Sequence, residues 1–217
     1  MHRKIFIAIL SSIIFVTGFA QRLRLNGYGG YMFDDGFEST YDPNTFLVGK
    51  INGGDQWGAG LEYMMRPGYC FELQYLHQTT EVPFTYQLGM ANPKKSENPT
   101  LTIDCIMVGS DGHRESSSGK VEGYAGLFLG SAHLRSSNSS TTGTWVADKF
   151  SLSARLGCNI WLLEKVGLKL QAQFLSIMRG NGNDRYTGTT ANNYGLDSYS
   201  GIYQFGLGGG VTIKLGK

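Results

Sequence analysis

The sequence predicts an all-β fold: an eight-stranded antiparallel up-and-down transmembrane β-barrel. Three observations lead there. Eight stretches after residue 21 alternate apolar and polar residues with period two, as a strand with differently solvated faces requires. Most of these stretches reach the roughly 9–11 residues that a tilted strand needs to cross a bilayer. The connections between them alternate long and short, the pattern of a barrel with extended outer loops and tight periplasmic turns. Composition agrees. The 217 residues include 31 Gly and only 5 Pro, with 12% aromatic and 17% charged residues. That charge is below the roughly 25% usual for soluble domains. A slightly negative mean hydropathy argues against a bundle of membrane helices.

Residues 1–20 stand apart. Arg3 and Lys4 precede an apolar run from Ile5 to Val16, and Gly18-Phe19-Ala20 supplies small residues at a cleavage site. This is the pattern of a secretory signal peptide, with the apolar stretch too short for a spanning helix. The barrel domain is expected over 21–217. No Cys follows the cleavage site, so no lipoprotein anchor is expected. Without Arg3 and Lys4 the remaining basic residues equal the 17 acidic ones, which argues against a nucleic-acid partner.

The first strand, about 22–33, sets Leu23, Leu25, Tyr31 and Phe33 against Arg24 and Asn26. The second, about 55–65, sets Trp57, Ala59, Leu61, Tyr63 and Met65 against Gly58, Gly60 and Glu62. The third, about 69–79, sets Tyr69, Phe71, Leu73 and Tyr75 against Cys70, Glu72 and Gln74. In the fourth, about 100–109, Leu101, Ile103, Cys105 and Met107 read as the lipid face and Asp104 as the inner one. The fifth, about 120–132, is ambiguous, because Tyr124 and Phe128 share a face with Glu122. The sixth, about 149–162, sets Phe150, Leu152, Leu156 and Ile160 against Ser151, Ser153, Arg155 and Asn159. The seventh, about 166–178, sets Leu168, Leu170 and Phe174 against Lys169, Gln171 and Gln173. The last is the clearest: Tyr203 to Leu215 at every second position against Gln204, three glycines, Thr212 and Lys214.

Residues 34–54, 80–99, 133–148 and 179–200 read as long polar outer loops. Residues 66–68, 110–119 and 163–165 read as the inner turns, Arg66-Pro67-Gly68 having evident turn chemistry. With the signal peptide, the strand "LRLNGYGGYMF" and the closing "YQFGLGGGVTIKLG", the chain resembles the outer-membrane β-barrel domain family common in Bacteroidetes-type bacteria. In plan it is similar to small eight-stranded barrels of the OmpA and OmpX type. It ends Leu215-Gly216-Lys217 rather than in the terminal aromatic of many proteobacterial barrels.

If the apolar faces meet lipid, the charges on the other faces enter the lumen. Glu62, Glu72, Asp104 and Glu122 then occupy one half of the wall, and Arg155, Lys169, Lys214 and Arg24 the other. An eight-stranded interior is just wide enough for side chains to fill, so opposite charges are expected to meet across it. The expected result is a structural salt-bridge plug; the alternative is a narrow ion-selective pore, with glycines such as Gly58, Gly60 and Gly206 leaving room for water. Trp57, Tyr63, Tyr69, Tyr75, Tyr203 and Phe205 fall towards strand ends and suit the interfacial girdles of a barrel.

Signals for chemistry are weak. Cys70, Cys105 and Cys158 are far apart with no CxxC pair, so they read as small hydrophobes and no metal or cofactor is expected. His77 and His133 sit at outer strand ends and His113 in a turn. The stretch His133-Leu134-Arg135-Ser136-Ser137-Asn138 is loosely similar to the His-x-Ser-Asn motif of outer-membrane lipid A deacylases, at a departing spacing. It reads better as a solvated loop. The loop at 181–200, with Tyr186, Tyr194 and Tyr199 among small polar residues, has the composition of an adaptable contact surface. The function expected is therefore a non-enzymatic integral outer-membrane protein with a structural or surface-interaction role. Its expected partners are outer-membrane lipid and an extracellular or outer-membrane protein met through the long loops. The alternatives are a narrow pore or small subunit of a transport or secretion complex, a lipid A-modifying enzyme, and a soluble lipocalin-like carrier with its faces inverted.

Overall fold

The computed structural model describes residues 22–42, 45–88, 92–137, 144–178 and 201–216. The expected signal peptide, the loop carrying Tyr186, Tyr194 and Tyr199, and the polar stretch 138–142 lie outside the described residues. Twelve strands are described: β1 (Leu23–Met32), β2 (Asp35–Asp42), β3 (Thr45–Ile51), β4 (Gly54–Arg66), β5 (Tyr69–Glu81), β6 (Phe84–Leu88), β7 (Lys95–Glu97), β8 (Thr100–Glu115), β9 (Val121–Ser137), β10 (Thr144–Trp161), β11 (Val166–Ile177) and β12 (Ile202–Lys214). Eight of them close a barrel in the order β1-β12-β11-β10-β9-β8-β5-β4. Every neighbouring pair is antiparallel, and β1 is the closing strand, paired to both β4 and β12. The closed ring leaves no sheet edge, the condition for a sheet in lipid.

The tight turns follow from local chemistry. Gly68 takes φ +80° in the β4–β5 turn, where an L side chain would be strained, and its carbonyl accepts from the amide of His113 at 2.8 Å. The turn between β8 and β9 is likewise closed by Gly119, at φ +67°.

Apolar side chains clothe the outside. On β12, Tyr203, Phe205, Leu207 and Val211 are exposed while Gln204 and Thr212 are buried. On β9, Leu127 and Leu129 point outward, and Glu122, Tyr124 and Phe128 inward, which resolves the ambiguous fifth strand. This is the polarity of a barrel with a lipid-facing wall, opposite to that of a soluble carrier. Trp57, Tyr69, Tyr203 and Phe205 are exposed on this wall. Trp57 meets Tyr75 edge-on at 5.8 Å and Phe33 stacks on Phe205 at 6.0 Å.

Three expectations are corrected. On β8 the faces are exchanged: Leu101, Ile103, Cys105 and Met107 are buried inside, and Ile106 and Val108 face out. Asp104 therefore belongs to the outer wall and not to the lumen. Secondly, two expected loops are structured. β2–β3 rises from the first and β6–β7 from the second, and β3 pairs with β6 to make a separate four-stranded sheet in the order β2-β3-β6-β7. The third outer connection is shorter than expected, because β9 runs to Ser137 and β10 starts at Thr144.

The interior has two layers. The outer half is mostly apolar, with Gln78, Thr80, Ser151 and Gln204 buried among the hydrocarbon. Met32, Leu76, Leu101, Ile103, Met107, Leu134 and Leu175 form one cluster that continues into Phe37, Leu47, Ile51, Phe84 and Tyr86 of the second sheet. The sheet is thus held over the barrel by a shared core; each large apolar side chain so covered contributes on the order of 1.5–3 kcal/mol. The half nearer the tight β4–β5 turn is charged.

Candidate functional site

The charged layer is assembled by cross-strand register. Glu62 on β4 lies opposite both Arg24 on β1 and Glu72 on β5. Asp111 on β8 lies opposite Cys70 on β5, and Glu122 on β9 opposite Asn159 on β10, which is opposite Lys169 on β11. Arg24, Glu62, Glu72, Asp111, Glu122, Arg155 and Lys169 are all buried, each at most 6% exposed. Ionised groups so placed are tolerated only when paired.

Arg155 is the hub. Its Nε donates to Asp111 Oδ1 at 3.1 Å and its Nη2 to Asp111 Oδ2, a two-pronged pair. Nη2 also reaches Glu72 Oε2, and Nη1 donates to the Tyr28 hydroxyl at 3.0 Å. The guanidinium lies 4.3 Å from the ring centre of Phe128, where the two layers meet. Tyr28 Oη in turn donates to Glu72 Oε1. Gly60 makes room for this: a Cβ there would collide with the Glu72 carboxylate and lie 2.8 Å from the Tyr28 hydroxyl.

A second cluster lies around Glu122. Arg24 Nη1 donates to Glu122 Oε1 at 2.7 Å and lies 3.4 Å from Glu62 Oε1. Trp161 Nε1 donates to Glu122 Oε2 at 3.1 Å, and its ring carries Lys214 Nζ at 3.8 Å. Lys169 Nζ lies 3.7 Å from Glu62 Oε2 and 4.6 Å from the ring centre of Tyr124.

Seven of the eight residues expected in the lumen, Arg24, Glu62, Glu72, Glu122, Arg155, Lys169 and Lys214, lie on inward faces. Six of them join the buried contacts, and Lys214 sits at the inner rim. Asp104 does not join. Asp111 takes the acidic place on β8, and His113 enters as well, between Glu62 and Glu122. Sequence reasoning missed both because Ser110-Asp111-Gly112 reads as a turn. The signal that could have found them is parity: they continue the inward face of Cys105 and Met107.

The outer wall carries a different polar group. Asp104 accepts from the Tyr75 hydroxyl at 2.6 Å and pairs with His77 Nδ1 at 2.7 Å. The register carries this row onward to His133, which pairs with Asp148 Oδ1 at 2.8 Å. Trp57 lies against His77, with ring centres 5.0 Å apart. Aliphatic residues such as Val108, Leu129 and Leu152 lie two rows below. The row therefore marks the outer boundary of the apolar band. His133 and Ser136 lie on opposite faces of β9, with Ser136 buried, so these two do not form a base–nucleophile pair.

No family model matches the chain, and no curated protein matches it by sequence. Solved structures match by fold. Neisserial surface protein A is similar over 88% of this chain and 96% of its own, at 11% identity and a TM-score of 0.59. The outer membrane protein OprG from Pseudomonas aeruginosa is similar over 89% of this chain and 96% of its own, at 12% identity and a TM-score of 0.55.

Proposed function

We propose that this chain is an integral outer-membrane protein that acts without catalysis, as an envelope component presenting a folded surface to the exterior. The fold it has in common with small outer-membrane barrels and its outward apolar wall support that location. The observation that carries the functional reading is the contrast between the two ends. The lumen is filled, by charged groups below and a mostly apolar layer above, whereas the outer end carries a separate four-stranded sheet. A cavity bounded by Tyr28, Met32, Gln56, Gln173 and Gly206 holds only about 10 Å³, room for about one water. Such packing favours a plug over a pore. A partner would be met by the exposed face of the β2-β3-β6-β7 sheet and the neighbouring outer loops.

The test has two parts. Purified protein in planar bilayers should give no stepwise conductance, and protease added to intact cells should cut the outer connections but not the barrel. Steady single-channel currents that change on Lys169→Gln or Glu72→Gln would replace this reading with that of a narrow pore.

A further inference from the structure

We infer that the periplasmic end of the lumen holds a binding site for a divalent transition-metal ion of the zinc class, with Cys70, His113 and Glu62 as ligands. The inference is independent of the surface role, since it rests on barrel register alone. Three strands bring the donors together. Cys70 Sγ lies 3.4 Å from His113 Nε2, and His113 Nε2 lies 3.4 Å from Glu62 Oε1. One donor atom from each residue falls within 4.8 Å of the other two. With metal bonds of about 2.0–2.3 Å, tetrahedral ligands sit about 3.3–3.6 Å apart, and the Cys70–His113 and His113–Glu62 edges already have that length. Asp111 Oδ2, 3.8 Å from the sulfur, is already held by Arg155, so three protein ligands and a water would complete the site. Thiolate, imidazole and carboxylate together select a borderline ion such as zinc over calcium or magnesium.

Two further features point the same way. The other ring nitrogen of His113, Nδ1, faces Glu122 Oε1, and its ring stacks on Tyr124 at 5.7 Å. A carboxylate behind the histidine is the usual outer-shell partner of a metal-bound imidazole, and it fixes Nε2 as the ligating atom. Glu62 is oriented likewise: Asn26 Nδ2 donates to its Oε2 at 3.0 Å, while Oε1 faces both His113 Nε2 and Arg24 Nη1, each at 3.4 Å. The charge inventory is the second feature. Four buried carboxylates (Glu62, Glu72, Asp111, Glu122) lie among Arg24, Arg155 and Lys169, with His113 between Glu62 and Glu122, so a divalent cation would enter an acid-rich layer. On binding, the Cys70 thiol gives its proton to solvent at the periplasmic mouth and its sulfur bonds the metal.

Cobalt(II) is the probe. The full-length protein, folded in detergent and stripped with a chelator, should take up one equivalent and develop a thiolate-to-cobalt charge-transfer band that zinc(II) abolishes. Cys70→Ser should remove the band. His113→Gln should weaken binding by more than about tenfold, the loss that even outer-shell changes commonly cause. Cys105→Ser and Cys158→Ser should leave both unchanged. If Cys70→Ser or His113→Gln does not fold, X-ray absorption on the cobalt-loaded wild type decides, with one sulfur in the first shell expected. A folded wild type without the band, a band that survives Cys70→Ser, or a first shell without sulfur would overturn the assignment.

Discussion

Arg155 shows how the interior is stabilised one residue at a time. It satisfies Asp111, Glu72 and Tyr28 together, so its removal strands two buried carboxylates. Arg155→Met is expected to cost about 3–5 kcal/mol, the usual loss when one partner of a buried pair goes. Urea unfolding in detergent micelles, followed by far-ultraviolet circular dichroism, measures it, and Glu72→Gln added to Arg155→Met should recover part of the loss. Gly60→Ala places a methyl against Glu72 and Tyr28 and should cost about 1–3 kcal/mol by overpacking, read from the same curves. Outside the barrel, Asp34 accepts from Lys50 Nζ at 2.7 Å and the Gly53 amide at 2.6 Å. The Lys50 hydrogen bond holds its carboxyl below the usual carboxylate range. A lowered value means that the clamp's contribution is complete above the ordinary carboxylate value, about 3.9, and is lost as pH falls through the lower one. The Gly53 amide resonance should therefore stay put down to about pH 4 and shift only below it. At this scale the interior was half legible. Arg24, Glu62 and Arg155 announced themselves by alternation, while Asp111 and His113 hid in a glycine-bearing stretch whose local chemistry says turn.

Among elements, β8 and the second sheet carry the lessons. Alternation gives the parity of a strand but not which face meets lipid. On β8 the inner face changes character along its length, apolar from Leu101 to Met107 beside the outer sheet and polar at Asp111 and His113 near the periplasm. A face chosen by hydrophobicity at one end was therefore assigned the wrong solvent. The β2–β3 and β6–β7 segments read as loops in sequence because their strands are short and rich in polar residues. Only their pairing, β3 to β6, gives Leu47, Phe84 and Tyr86 something to cover. Leu47, fully buried, is the test position. Leu47→Ala should destabilise the sheet by about 2–5 kcal/mol, depending on how far the site collapses. Hydrogen exchange should quicken at β3 and β6 while the β8–β9 ladder stays protected, as expected if the outer sheet opens as its own unit.

The whole molecule separates its charges as its strands are ordered. Acids come from β4, β5, β8 and β9 and bases from β1, β10, β11 and β12, so the barrel closes with opposite walls attracted across the lumen. That division is legible in sequence on seven of the eight strands from strand order and parity, while on β8 the acid is Asp111 and not the expected Asp104. The apolar layer above it is not, because it needs the register of β8, β9 and β11 with a sheet whose existence no local pattern announced. The central claim is that hydrocarbon surrounds this wall and side chains fill its axis. Paramagnetic broadening of methyl resonances, with the protein in lipid nanodiscs, tests it most directly. A nitroxide carried on a lipid chain should broaden Val108, Leu129 and Val211 strongly and spare Leu76, Ile103 and Leu134, while a water-soluble gadolinium chelate leaves all six sharp. Broadening of Leu129 and Val211 by the chelate, with the lipid-borne nitroxide silent, would contradict the account.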